Sequence, residues 1–301
     1  MKKDIVITLS ASLAYLLLCL LLIGFKTEQL FLVAFFNILY YASPGTRKFI
    51  TGFSVFILYW IVFDFMKAFP NYRYNTVHIE SLYRAEKYLF GISQGGQTIT
   101  PNEFWLQHKS VLLDTMSGFF YLCWVPVPLL FAGWLFYKKR EQFLQFSLTF
   151  FLVNILGFVV YYIYPAAPPW YVEQYGFVFN PFTPGNTAGL QRFDDFFHVH
   201  IFQGLYAKSS NVFAAMPSLH ASYLAIVLYY CLKNRMYIIG TIAGFIMLGI
   251  WFAAVYTSHH YILDVLAGIV CAVAGIILFG ALIRRNGKAN TFYTSLLYKI
   301  V

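Results

Sequence analysis

The chain has 301 residues, of which 60% are hydrophobic and 11% charged, a balance that excludes a soluble globular protein and fits an integral membrane one. Its net charge of +9 is carried largely by short loops between apolar runs. Basic residues there set topology, and no basic patch on a soluble domain is left over to bind nucleic acid. Four cysteines, Cys19, Cys123, Cys231 and Cys271, fall within or at the ends of apolar segments without metal-ligand spacing. They read as small apolar residues, so no disulfide, metal site or cofactor is expected.

A spanning helix needs about 20 apolar residues. In chain order, membrane segments are expected near residues 5–25, 28–43, 49–69, 111–136, 143–164, 218–233, 237–256 and 261–283. The first, Ile5 to Phe25, is long for a cleaved leader and Gly24-Phe25-Lys26-Thr27 offers no small-residue cleavage site, so it reads as a retained helix. The second is short and ends at Pro44-Gly45. Residues 70–110 and 165–217 are two long connections. The first predicts an amphipathic surface helix from Thr76 to Phe90, with Arg84, Glu86 and Lys87 towards water or headgroups. The second opens Pro165-Ala166-Ala167-Pro168-Pro169-Trp170 and predicts a short surface helix over 188–207.

Placing the N-terminus inside puts Lys2, Lys3, Arg47, Lys48, Lys138, Lys139, Arg140, Lys233, Arg235, Arg284, Arg285, Lys288 and Lys299 on the interior face, most of the 21 basic residues. Both termini are then cytoplasmic and both long loops exterior. A periplasmic face of a bacterial inner membrane fits the compact chain, and a lumenal face of a Golgi-type membrane keeps the same topology.

Two short motifs open on that exterior face, two crossings apart. The first is Pro217-Ser218-Leu219-His220, where proline starts a helix whose first N–H groups and dipole favour a phosphate, to which Ser218 can donate. The second is His259-His260-Tyr261-Ile262-Leu263-Asp264. His260 and Asp264 are four apart, which on a helix places a carboxylate beside an imidazole, while His259 points elsewhere. A carboxylate inside a membrane helix is costly and needs a partner. The combination predicts phosphoryl transfer without metal: His260 attacks phosphorus, Asp264 holds it in register, and His220 is general acid, then base.

Residues 217–220 and 260–264 resemble two motifs of the type 2 phosphatidic acid phosphatase / lipid phosphotransferase superfamily, PSGH and SRxxxxxHxxxD. The Ser-Arg pair of the latter falls at Ala253 and Ala254, and the family's KxxxxxxRP motif is absent where the chain reads YYIYPAAPPW from Tyr161. These departures resemble the inositol phosphorylceramide synthase branch, which is similar at YPxAPPW (164–170), GLxRxD (189–194), MPSLHA (216–221) and HHYxxD (259–264). The likeness covers roughly residues 85 to 280.

The resemblance implies an all-α integral membrane protein with a six-helix phosphatidic-acid-phosphatase-like core over residues 49–285. Two N-terminal membrane helices (1–48) precede it and a cytoplasmic tail (286–301) follows. It implies transfer of phosphoinositol from a phosphatidylinositol donor to a ceramide acceptor, with His260 as nucleophile, Asp264 its partner and His220 the acid/base. No protein partner is read from the sequence. A site without the phosphatase arginine and lysine suits a singly charged phosphodiester. Arg192 and Lys208, in the loop leading to His220, are candidates to replace those cations. Asp114 is a candidate headgroup contact, Asp64 another beside Lys67, and Glu173 and Asp194 are candidates for inositol hydroxyls. His198 and His200 have no third partner in sequence to make a metal site. Competing readings are a phosphatase using water as acceptor and a transporter. The second lacks an inverted repeat or mid-membrane charges.

Overall fold

A computed structural model describes residues 2–206, 211–285 and 287–301. The expected crossings are helices: α1 (Lys2–Leu22), α2 (Thr27–Ala42) and α3 (Pro44–Phe65) open the chain. After the short helices α4 (Glu80–Phe90) and α5 (Pro101–Gln107) of the first long connection, the fourth apolar segment is broken into α6 (Val111–Leu122) and α7 (Pro126–Lys138). Proline has no N–H to give the helix before it but suits a first turn, so Pro126 opens α7. α8 (Arg140–Ile163) follows, then the short helices α9 (Pro169–Tyr175), α10 (Gln191–Phe197) and α11 (Ile201–Tyr206) of the second long connection. α12 (Leu219–Lys233), α13 (Tyr237–Tyr256), α14 (Ile262–Arg285) and α15 (Gly287–Ile300) complete the chain. Counting α6 with α7, six described helices are long and apolar enough to span a membrane; α2 and α12 are shorter.

α8 is the axis of the bundle, packed by α3, α7, α12 and α14. Its inward face buries Phe143, Phe146, Phe150, Val153 and Phe158. Polar groups of α8 are paired inside the bundle, as a membrane interior favours. Thr149 Oγ1 meets Tyr230 Oη at 2.8 Å, and Tyr223 donates to Asn154 Oδ1 at 2.6 Å. The hairpin of α1 and α2 leans outside this bundle. Most of α1 faces outward, and Thr8 with Tyr41 (2.6 Å) and Asn37 with Ser12 (3.0 Å) tie the pair together. The described part of the expected tail is helical: α15 folds back on α3, α8 and α14, burying Tyr293 and Ile300. Lys48 Nζ and Arg140 Nη1 donate to the carbonyls of Val301 and Ile300.

The two long connections carry their own structure. A hairpin that the sequence reading lacks, β1 (Ile92–Gln94) with β2 (Gln97–Ile99), turns at Gly95-Gly96, both at positive φ where glycine carries no Cβ penalty. The helix expected over 188–207 is two, because His198 takes a left-handed conformation that ends α10. Asp194 then accepts from the N–H groups of Phe202 and Gln203 and so caps α11. This occupies a side chain that the sequence offers as an inositol contact. Backbone bonds stitch the loops together: His78 N–H to Pro165 O (2.7 Å), Ala166 N–H to Phe213 O (2.9 Å) and Ala215 N–H to Ala166 O (3.2 Å).

Candidate active site

The two motifs meet because their helices touch almost backbone to backbone. A Cβ added at Gly268 of α14 would lie 2.1 Å from the Ser218 carbonyl oxygen, so only glycine permits this approach. Ser222 Oγ donates across it to Gly268 O at 2.7 Å, and Ser218 N–H donates to Asp264 O at 2.8 Å. Ser218 is fully buried and its Oγ accepts from Ala221 N–H at 3.4 Å, which makes it the N-cap of α12.

His260 lies just before α14 rather than on it. The chain reverses at Thr257-Ser258, with Ser258 at φ 58°, and the N–H groups of both His259 and His260 donate to Ala254 O at 3.0 Å. Asn102, from α5, donates to the carbonyls of Val255 and His260 at 2.8 and 3.0 Å. The turn is therefore held from both sides. Ala253 and Ala254, where the phosphatase pattern has Ser-Arg, are fully buried, so the packing has no room for an arginine side chain.

The imidazoles are adjacent. His260 Nε2 lies 3.4 Å from His220 Nδ1, and His260 Nδ1 lies 3.4 Å from Asp264 Oδ2. The same Asp264 oxygen accepts from Tyr261 N–H at 2.9 Å. The carboxylate is thus divided between its helix start and the ring. Facing Nδ1, it favours the tautomer with the proton there and the lone pair on Nε2. Burial lowers the His260 pKa to about 4, partly offset by the Ala215 carbonyl, so the ring is neutral and nucleophilic at physiological pH. Tyr121 Oη meets His220 Nδ1 at 2.9 Å and Trp124 packs edge-on against that ring.

His259 differs from its sequence reading, which turned it away on an assumed helix. The reverse turn brings it into the same cavity as His220 and His260, between Tyr121 and Tyr206. Its Nδ1 meets Thr257 Oγ1 at 3.0 Å, its Nε2 has no partner, and burial holds it neutral. Glu86 also departs from its reading as a water-facing residue. It is fully buried and accepts from the N–H groups of Ile262 (2.9 Å) and Leu263 (3.1 Å), capping α14 from α4. Burial raises its pKa to about 7, against the effect of those two N–H groups. The sequence signal available was a pair of open helix N–H groups without a local capping side chain, which does not say where the acceptor comes from.

Of the other candidates, Arg192 and Asp114 find each other. Arg192 Nε donates to Asp114 Oδ1 at 2.5 Å, Tyr256 Oη donates to the same oxygen at 2.8 Å, and Arg192 Nη2 is buried without a partner. Asp64 pairs with Lys67 at 2.5 Å. Lys208 lies outside the described residues. Trp170 is buried against the cavity, its N–H bonded to Ser258 O at 3.0 Å. Among the described residues no group of three His, Cys, Asp or Glu side chains is placed to hold a metal ion.

A helical membrane bundle in which His220 and His260 line a cavity of about 950 Å³, with Asp264 behind His260, defines a lipid-phosphate-processing class. The chain belongs to the PAP2 superfamily, which it matches over residues 94–278. It is 44% identical to the phosphoinositol dihydroceramide synthase of Bacteroides thetaiotaomicron, over 97% of this chain and 96% of that one. It is 29% identical to the catalytic subunit of the inositol phosphorylceramide synthase of Saccharomyces cerevisiae, over 78% of this chain and 59% of that one. The Candida albicans inositol phosphorylceramide synthase is 29% identical over 49% of this chain and 33% of its own. No solved structure matches the chain.

Proposed function

We propose that this protein is a sphingolipid synthase that transfers phosphoinositol from phosphatidylinositol to ceramide or dihydroceramide. The observation that carries the reading is the meeting of His260 and His220 in one lipid-sized cavity, with Asp264 against His260, in a chain 44% identical to a named phosphoinositol dihydroceramide synthase. In the first step the Nε2 lone pair of His260 forms a bond to phosphorus. The bond to the diacylglycerol oxygen breaks, and that oxygen takes a proton from His220. In the second step the acceptor hydroxyl gives its proton to His220 and attacks the phosphohistidine, and the P–N bond breaks, restoring both rings. Asp264 stabilises the positive charge on His260 as the P–N bond forms.

A phosphodiester brings one negative charge, and two elements are placed to meet it. The dipole of α12 places positive potential at its start, where His220 sits in the first turn. Arg192, anchored by Asp114, keeps its unpartnered Nη2 for a ligand oxygen or hydroxyl. The six-helix core spans 49–285, the hairpin 1–48 leans against it, and α15 closes the opposite end. The site faces outward, on the periplasmic side of a bacterial inner membrane, with both termini cytoplasmic.

Purified protein given headgroup-labelled phosphatidylinositol, with and without dihydroceramide, tests the reading by mass spectrometry of the lipids. Phosphoinositol dihydroceramide and diacylglycerol in equal amounts are expected. Release of inositol phosphate alone, unchanged by dihydroceramide, would identify water as the acceptor and sink the synthase reading.

A further inference from the structure

The cavity that holds His220 and His260 does not end at the PAP2 core. It continues as an apolar groove to the N-terminal hairpin, where Phe31, Leu32 and Phe35 of α2 face Trp60 and Phe63 of α3. Phe31, Phe35 and Trp60 are exposed by 71%, 54% and 56%, so this arm opens sideways, where bilayer would be. At about 950 Å³ the whole cavity is at the upper end of the roughly 300–1,000 Å³ typical of small-molecule sites. Lys26, Glu28, Asp64 and Lys67 line its outer rim, and Lys67 is paired to Asp64 at 2.5 Å.

We propose that the groove between α2 and α3 is the acceptor-lipid arm of the active site, holding a hydrocarbon chain of ceramide and admitting it laterally from the bilayer. The inference rests on the synthase reading and adds the place of one of its two lipids. Three observations select the acceptor. The arm is continuous with the space beside His220, so a lipid lying in it brings its terminal hydroxyl to the acid/base. Its rim carries two positive and two negative side chains, which exert no net pull on an anionic donor but offer hydrogen-bond partners to an uncharged amide bearing hydroxyls. Arg192, with its buried unpartnered Nη2, is on α10 and is not among the residues that line the arm, which leaves it for the donor's phosphoinositol. Both walls of the arm, α2 and α3, precede the stretch that matches the superfamily, 94–278.

The test uses the full chain in liposomes with His260→Ala, so that the probe is held without turnover. Dihydroceramide bearing a diazirine in its N-acyl chain is photolysed and the adducts are mapped by peptide mass spectrometry. A phosphatidylinositol diazirine runs in parallel. Adducts at 31–35 and 60–63 from the ceramide probe, in excess over the donor probe and competed by unlabelled dihydroceramide, are expected. Equal labelling of the lipid-facing side of α13, or preferential labelling of the groove by the donor probe, would overturn the assignment. A kinetic arm uses Leu32→Trp, which fills the groove. KM for long-chain dihydroceramide is expected to rise about tenfold while a six-carbon analogue keeps its KM and kcat. Unchanged KM for both chain lengths would count against the arm. Wild-type protein that makes no ceramide product fails the synthase reading itself. Wild-type protein that makes product while the groove stays unlabelled fails only the arm.

Discussion

The site holds two acid–base pairs built in opposite ways. His260 and Asp264 are neighbours in sequence, nearly or fully buried, and 3.4 Å apart. Arg192 and Asp114 are 78 residues apart, partly exposed, and closer at 2.5 Å. The first pair is loose because its carboxylate also holds the helix start at Tyr261, leaving the imidazole room to move onto phosphorus. The second is tight because Tyr256 and the fold fix Asp114, which aims one guanidinium. A group that must form and break a bond is poorly served by a rigid partner, whereas a group that only orients charge gains from one.

Breaking the first pair is expected to have the largest effect. His260→Ala should lower transfer more than about 1,000-fold, with the protein still inserted and folded by detergent gel filtration. Residual activity within tenfold of wild type contradicts the nucleophile. Gly268→Ala comes next. It adds a carbon 2.1 Å from Ser218 O and must push α12 from α14. A misplacement of about 1 Å between His220 and His260 lowers kcat by roughly 100-fold, and a kcat equal to wild type would show that the approach of these helices is irrelevant to geometry.

Arg192→Ala should be milder, about 10- to 100-fold in kcat/KM, the worth of one charge-assisted hydrogen bond. Asp114→Asn should add little to it in the double variant, since the two act as one unit. Additive losses would separate them. The pH profile sharpens the same contrast. With its pKa lowered to about 4, His260 remains neutral as the pH falls through the range where an ordinary imidazole protonates. The acid limb of kcat/KM from this group is expected near pH 4, and a limb near 6.5 would place the nucleophile in a wetter setting.

The smallest effect on catalysis is expected at Glu86. Glu86→Ala leaves two buried N–H groups of α14 unpaired, costing about 1–3 kcal/mol each in stability. Folded Glu86 holds its proton to about pH 7 against a usual 4.5, so folding takes up a proton between those values and stability falls as pH rises through that window. Glu86→Gln should flatten this dependence in thermal melts, with kcat changed only a few-fold.

The same contrast explains what was legible. The eight apolar segments and the His260–Asp264 spacing are local patterns, and the helices follow them to within a few residues at most boundaries. What escaped the sequence depends on tertiary neighbours. Glu86 shares a helical face with Leu82, four residues before it, and not with Arg84; that face is covered because α4 lies against the start of α14. His259 looks displaced from Asp264 on a helix, but the turn at Ser258 keeps it off the helix and inside the cavity. Tyr121 and Asn102 carry no motif, and only the packing of α6 and α5 against α12 and α13 brings them to His220 and the His260 carbonyl. The pairing of Arg192 with Asp114 depends on tertiary neighbours in the same way, since 78 residues separate them.

The most direct measurement of the central claim is to trap the intermediate. Wild-type protein incubated with inositol-labelled phosphatidylinositol and no acceptor, then quenched at alkaline pH and digested, should carry phosphoinositol on the peptide containing His260. The adduct should be acid-labile and vanish on addition of dihydroceramide. Label on His220 instead, or product formed with no adduct on any histidine under rapid quench, would contradict covalent transfer through His260.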